Sequence, residues 1–143
     1  MSSSGNIEKL LRGLKRSKGR FSPFLARYSY VSQRDRLIEN FRASFPGVLK
    51  VLPLDESVTQ IYTTVRGYLE DKELDVLMVY GWESLRDINK LLVGMGYVRE
   101  EFRKHCPLPI VFWVDGKICR KFIRLIPDFY NWGKIGRDTS ELQ

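Results

Sequence analysis

Four short apolar runs, each followed by a stretch with helical spacing, constrain this chain more than any other feature. Phe21 to Tyr30, Val48 to Leu54, Leu74 to Tyr80 and Ile110 to Val114 read as strands. After the first comes a stretch with Leu37, Ile38, Phe41 and Phe45, and after the second one with Ile61, Tyr62, Val65, Tyr68 and Leu69. The third is followed by Leu85, Ile88, Leu91 and Leu92. Such spacing puts the apolar side chains on one face of a helix. Ser32, Ser57 and Ser84 stand where N-caps are expected. Past Asp75 the third run is continuously apolar, as a strand covered on both faces requires. The alternation predicts a three-layer α/β domain, with a mainly parallel sheet of about four to five strands and helices on both faces. Gly94 and Gly96 are expected to break the third helical stretch, which resumes at Tyr97 and runs to Lys104. Asp115-Gly116 turns the chain into a last helix from Lys117 to Leu125, stopped by Pro127.

A chain of 143 residues suits one domain. Three parts are expected: a basic segment over residues 1–20, an α/β domain over 21–132, and a polar tail or linker over 133–143. No apolar stretch approaches the ~20 residues of a membrane span, and the first six residues lack the apolar core of a signal peptide. Cys106 and Cys119 are too far apart for a CxxC motif. Two such thiols imply a reduced, cytoplasmic protein.

The net charge of +7 is unevenly placed. Residues 1–50 hold 11 basic and 3 acidic side chains, whereas residues 51–143 hold 13 and 14. Lys9, Arg12, Lys15, Arg16, Lys18 and Arg20 surround a short apolar stripe of Ile7, Leu10, Leu11 and Leu14. That basic segment can attract nucleic acid or another acidic surface.

Open parallel sheets bind ligands beyond the carboxyl ends of their strands. A phosphate loop would need glycines, a Lys and a Ser or Thr there. No glycine lies between Gly19 and Gly47, and neither GxxxxGK[ST] nor GxGxxG occurs. Arg34 and Arg36 could still attract an anion to the start of the first crossover helix. Glu83, after the third strand, and Asp115, after the fourth, complete that candidate anion or nucleotide site. Each also has a structural reading, as a first-turn acid and a turn residue.

Other chemistries have less support. Asp55, Glu56, Asp75 and Asp115 have no metal-specific spacing. His105 is the only histidine, and its neighbour Cys106 points away from it. There is no GxSxG elbow. Phe112, Trp113, Phe122, Phe129, Tyr130 and Trp132 could stack bases, but suit packing of the sheet better. No catalytic group, metal site or cofactor is expected.

The stretches Val76-Leu-Met-Val-Tyr-Gly-Trp-Glu-Ser84, Val98-Arg-Glu-Glu-Phe-Arg-Lys104, Pro107-Leu-Pro-Ile-Val-Phe-Trp-Val114 and Leu125-Ile-Pro-Asp-Phe-Tyr-Asn-Trp132 carry a resemblance. Together they resemble the N-terminal NTPase-like region of large bacterial signalling proteins. These are the STAND-type and tetratricopeptide-repeat proteins common in cyanobacteria, with repeats, WD-repeat propellers or protease modules further on. The resemblance implies a P-loop-NTPase-like fold, with Val76–Tyr80 as the Walker B strand and Ile110–Val114 as the sensor strand. The phosphate loop is missing, and no carboxylate stands within Val76–Tyr80. The implied role is therefore a non-catalytic interaction or regulatory module, whose partner is a protein or the downstream domains of a longer chain. An atypical ATP binder and a nucleic-acid binder are the alternatives. Arg99 and Arg103 are placed to pair with Asp128, with Trp132 closing a structural clamp.

Overall fold

The computed structural model describes residues 2–129, with side chains from residue 8 onward. The elements are α1 (Ser2–Arg16), β1 (Ser22–Arg27), α2 (Val31–Ser44), β2 (Leu49–Pro53) and α3 (Ile61–Leu69). Next come β3 (Val76–Tyr80), a 3-10 turn (Trp82–Ser84), α4 (Ile88–Tyr97), α5 (Arg99–His105), β4 (Pro109–Val114) and α6 (Gly116–Leu125). All four strands are parallel and lie in the order β1-β4-β3-β2. The expected α/β class, with helices on both faces, is what the chain forms.

Strand alternation divides the interior into two cores. Phe24, Ala26, Tyr28, Val76, Met78, Val111 and Trp113 face α1 and α2, meeting Leu10, Leu14, Ile38 and Phe41. Leu25, Leu77, Val79, Ile110, Phe112 and Val114 face the opposite way, against α3 to α6. The short basic segment is thus part of a helix that packs on the sheet. Each fully buried Leu, Ile, Val or Phe contributes about 1.5–3 kcal/mol. β4 is buried along its whole length, which explains why its sequence is apolar without interruption.

Several local expectations give way to tertiary contacts. Tyr30 and Gln60, not Ser32 and Ser57, hold the N-cap positions of α2 and α3. Ser57 bonds Asp55 in the preceding loop, and Ser84 closes the 3-10 turn. The start of α2 is tied by the Ser29 N–H, which donates to the Gln33 side chain at 2.6 Å. α4 runs unbroken through Gly94 and Gly96 to Tyr97, and the break falls at Val98 instead. Gly96 is needed for proximity: a Cβ there would lie 2.8 Å from Ile126. Asp115 is a helix cap as well as a turn residue, accepting the Ile118 N–H at 2.8 Å.

The anticipated ion-pair clamp is not formed. The Arg103 guanidinium lies 3.5 Å from Glu100 of its own helix. Among the described residues, no ion pair joins Asp128 to Arg99 or Arg103. Trp132 lies outside the described residues, as do Tyr130 and the polar tail. The end of the described chain is held by Phe129, whose ring meets Phe21, Phe102 and Phe112 at centroid distances of 5.9, 5.3 and 6.2 Å. Aromatic packing next to a buried sheet outweighs a solvent-exposed charge pair. Phe129→Ala should therefore cost about 3–5 kcal/mol in urea unfolding, whereas Asp128→Asn should leave the midpoint unchanged.

Gly81, just after β3, has φ +95°, and a Cβ on it would collide with the Leu54 carbonyl. That contact lets the Leu54 N–H donate to the Tyr80 carbonyl at 2.7 Å, extending the β2–β3 ladder. We expect Gly81→Ala to lower stability by about 1–3 kcal/mol, measured as a shift in the denaturation midpoint.

Candidate functional site

In this topology the chain leaves β1 toward α2 on one face and leaves β4 toward α6 on the other. The two exits diverge at neighbouring strands, so a crevice belongs between the carboxyl ends of β1 and β4. The Tyr28 N–H donates to the Val114 carbonyl at 2.9 Å, which closes the ladder up to that point. The residues around it are Arg27 at the end of β1 and Tyr28 just past it, Arg34 from α2, Tyr80 at the end of β3, Glu83 from the 3-10 turn that follows, and Asp115.

Arg34 occupies this corner. Its side chain is only 8% exposed although it lies in the first turn of α2. One Nη lies 3.0 Å from an Asp35 carboxylate oxygen, and the other lies 3.6 Å from Glu83. The guanidinium sits over the Tyr80 ring at 4.1 Å and near the Tyr28 ring at 5.5 Å. A planar, weakly hydrated cation tolerates such a place when carboxylates and aromatic faces surround it. Tyr28 donates its hydroxyl to Glu83 at 3.5 Å. Burial and then the Glu83 charge push the Tyr28 phenol above its ordinary value, so it stays a neutral donor at physiological pH. Asp115 adds to that effect from the β4 side.

The structure thus brings Arg34, Glu83 and Asp115 to one corner. Arg36 stays exposed on the outer side of α2. Tyr28 and Tyr80 were not singled out in the sequence, yet they frame the corner. Their signal was alternation: each continues the α1/α2-facing side of its strand at its last turn. Trp82 fills the opposite side of the β3 exit, fully buried against Phe112 and Phe122 at 5.3 and 5.2 Å.

The acids considered for metal chemistry are scattered. Asp55 holds the Ser57 hydroxyl and N–H, which keeps its carboxyl below the usual range. Asp75 accepts the Val48 N–H at 2.7 Å, at the strand end remote from Asp115. Among the described residues, no group of three or more His, Cys, Asp or Glu side chains is arranged to hold a metal ion. No helix of the described residues is long and apolar enough to cross a membrane. His105 sits at the end of α5, 3.8 Å from Glu101.

A different surface emerges on the other helical layer. A cavity of about 390 Å³ opens between the start of α3 and the length of α4, lined by Ile61, Tyr62, Leu91, Val93, Met95 and Tyr97 among others. Further hollows of about 410 Å³ and 340 Å³ flank it, one toward Arg86 and one toward Ile126 and Phe129. Tyr97 is 86% exposed and Val93 37% exposed at its rim. A helix broken at Gly94 and Gly96 would restart at Tyr97. An unbroken α4 sets it instead on the outer wall of the groove.

Comparison with known protein families, with curated proteins and with solved structures gave no match for this chain.

The thiols are buried and unpaired. Burial pushes the Cys106 thiol from 9.0 up to about 11, with Arg66 pulling slightly the other way; burial also raises Cys119. The unfolded chain ionises Cys106 first, so this contribution to stability is complete below pH about 9 and is lost as pH rises toward about 11. Iodoacetamide at pH 8 should label neither cysteine until denaturant is added, and Cys106→Ala should flatten the loss of stability over that window.

Proposed function

We propose that this chain is a non-catalytic interaction module, a degenerate P-loop-NTPase-like domain that serves a bacterial signalling or defence system in the cytoplasm. The observation that carries this reading is the occupied corner at the strand ends. Where a phosphate loop would present backbone N–H groups to nucleotide, this chain presents bulky Tyr28 and Tyr30 and an Arg34 already held by Asp35 and Glu83. A guanidinium satisfied by two carboxylates has little left to offer a phosphate. The β1-β4-β3-β2 order supports the P-loop-like part: it sets the proposed sensor strand between β1 and the proposed Walker B strand. The unpaired, buried thiols agree with a reducing compartment.

The groove along α4 is the surface through which such a module would act. Its lining is mostly apolar, and an exposed tyrosine at its rim supplies the rigid, amphipathic contact area that interfaces favour. An apolar helix face of a protein partner, or of domains following in a longer chain, suits a groove bounded by two helices.

Two measurements test this. Calorimetric titration with Mg·ATP should give no binding heat and phosphate-release assays no turnover. Micromolar affinity that disappears in Arg34→Ala would replace this reading with an atypical nucleotide binder. Once a partner is in hand as purified protein, Tyr97→Asp should weaken its binding at least tenfold, the scale of about 1.4 kcal/mol or more expected from a central aromatic contact.

A further inference from the structure

The two outer layers of the fold differ in charge, and that difference follows from how α1 packs. Its buried stripe is Leu10, Gly13, Leu14 and Ser17. At 100° per residue, Arg12 and Lys15 fall opposite that stripe and Lys9 and Arg16 flank them; each is exposed, and Glu8 is the one exposed acid among the described side chains of α1. Lys18 and Arg20 continue the series, also exposed, into the turn before β1. No acidic residue interrupts the run from Lys9 to Arg20. From Lys9 to Arg16 the helix rises about 10 Å, a distance over which duplex nucleic acid presents several phosphates. On α2 beside it, Arg36 adds an exposed cation, while Glu39 is paired with Arg42 at 3.7 Å and Asp35 with Arg34.

We propose that the outer face of α1 is a docking site for the phosphate backbone of duplex nucleic acid, bound without sequence preference. Packing decides between this ligand and an anionic membrane. A helix that lies in a membrane interface must bury its apolar stripe among acyl chains. Here Leu10 and Leu14 are 2% and 1% exposed and belong to the core beneath the sheet. From residue 8 onward, the exposed side chains of α1 are charged, and Leu11, half-buried, packs against the same core as Leu10 and Leu14. Duplex is favoured over single strand because α1 presents no aromatic side chain on which bases could stack. The site is on the layer opposite the α4 groove, so it stands independently of the interaction module proposed above.

The test is fluorescence anisotropy of the full chain with a labelled 20-base-pair DNA of mixed sequence. About four phosphate contacts would weaken binding roughly a hundredfold between 50 and 200 mM salt. The quadruple variant Lys9→Ala/Arg12→Ala/Lys15→Ala/Arg16→Ala should abolish binding; alanine favours helix, and circular dichroism checks that the fold is kept. Removing the same charge from the other layer, with Lys104→Ala/Lys117→Ala/Arg120→Ala/Arg124→Ala, should leave affinity within about threefold. Should the quadruple variant not fold, Lys15→Gln/Arg16→Gln should still reduce the salt slope by about two. The proposal is overturned by absence of DNA binding at 50 mM salt, by equal loss in both charge variants, or by binding to phosphatidylserine vesicles without binding to DNA.

Discussion

β4 is the member on which the rest of this fold depends. It is covered on both faces and has strand neighbours on both edges. Among the described residues β1 pairs with no other strand, so its place in the sheet rests on residues that lie more than 80 positions later in the chain. Pairings of such separation pay a large loop-closure entropy before they return any stability. The uninterrupted apolar sequence Pro109-Ile-Val-Phe-Trp-Val114 offsets that cost by burying side chains in both cores at once. The Trp113 indole N–H even finds a partner inside, the Met78 sulfur at 3.2 Å.

Inserting β4 between β1 and β3 also determines what kind of site the strand ends can form. It sets the exits of β1 and β4 side by side while sending their helices to opposite faces. In an open crevice of this kind a ligand would meet backbone N–H groups. In this chain the first turn of α2 carries Arg34, which folds back over Tyr80 and Tyr28 to reach Glu83. The Arg34 side chain and the Tyr28 ring are buried, whereas Asp35 and Glu83 meet the guanidinium from the solvent side, 60% and 42% exposed. A buried cation held between aromatic faces and carboxylates fixes the packing of α2 on the sheet. This corner is a poor place from which to bind an anion, and this is the physical basis for reading the domain as one that acts through its surfaces.

Those surfaces are chemically distinct. The α1/α2 layer presents a cationic ridge because the apolar stripe of α1 is spent on the core. The α3–α6 layer presents an apolar groove because Gly94 in α4 and the exposed Tyr97 leave the space beside α3 unfilled. The two proposed contact faces lie on opposite helical layers and do not overlap.

Much of the architecture was legible in the chain alone. The α/β class, the four strands and the burial of the third on both faces follow from short-range pattern, since periodicities of 2 and 3.6 report local geometry directly. The absence of a phosphate loop was equally visible, because that loop needs particular residues at particular spacing. The sequence also carried the basic character of the first helix. Only tertiary structure decided the strand order, and with it the company Arg34 keeps, since Tyr28, Tyr80 and Glu83 are up to 55 residues apart and no local signal links them. It decided that Gly96 permits close approach to Ile126 where a helix break was expected, and that Phe129, not an Asp128 ion pair, holds the end of the described chain. In each case a residue's own tendency was weaker than the packing energy offered by a distant neighbour. Packing partners are chosen by the assembled fold, so no short stretch of sequence could state them.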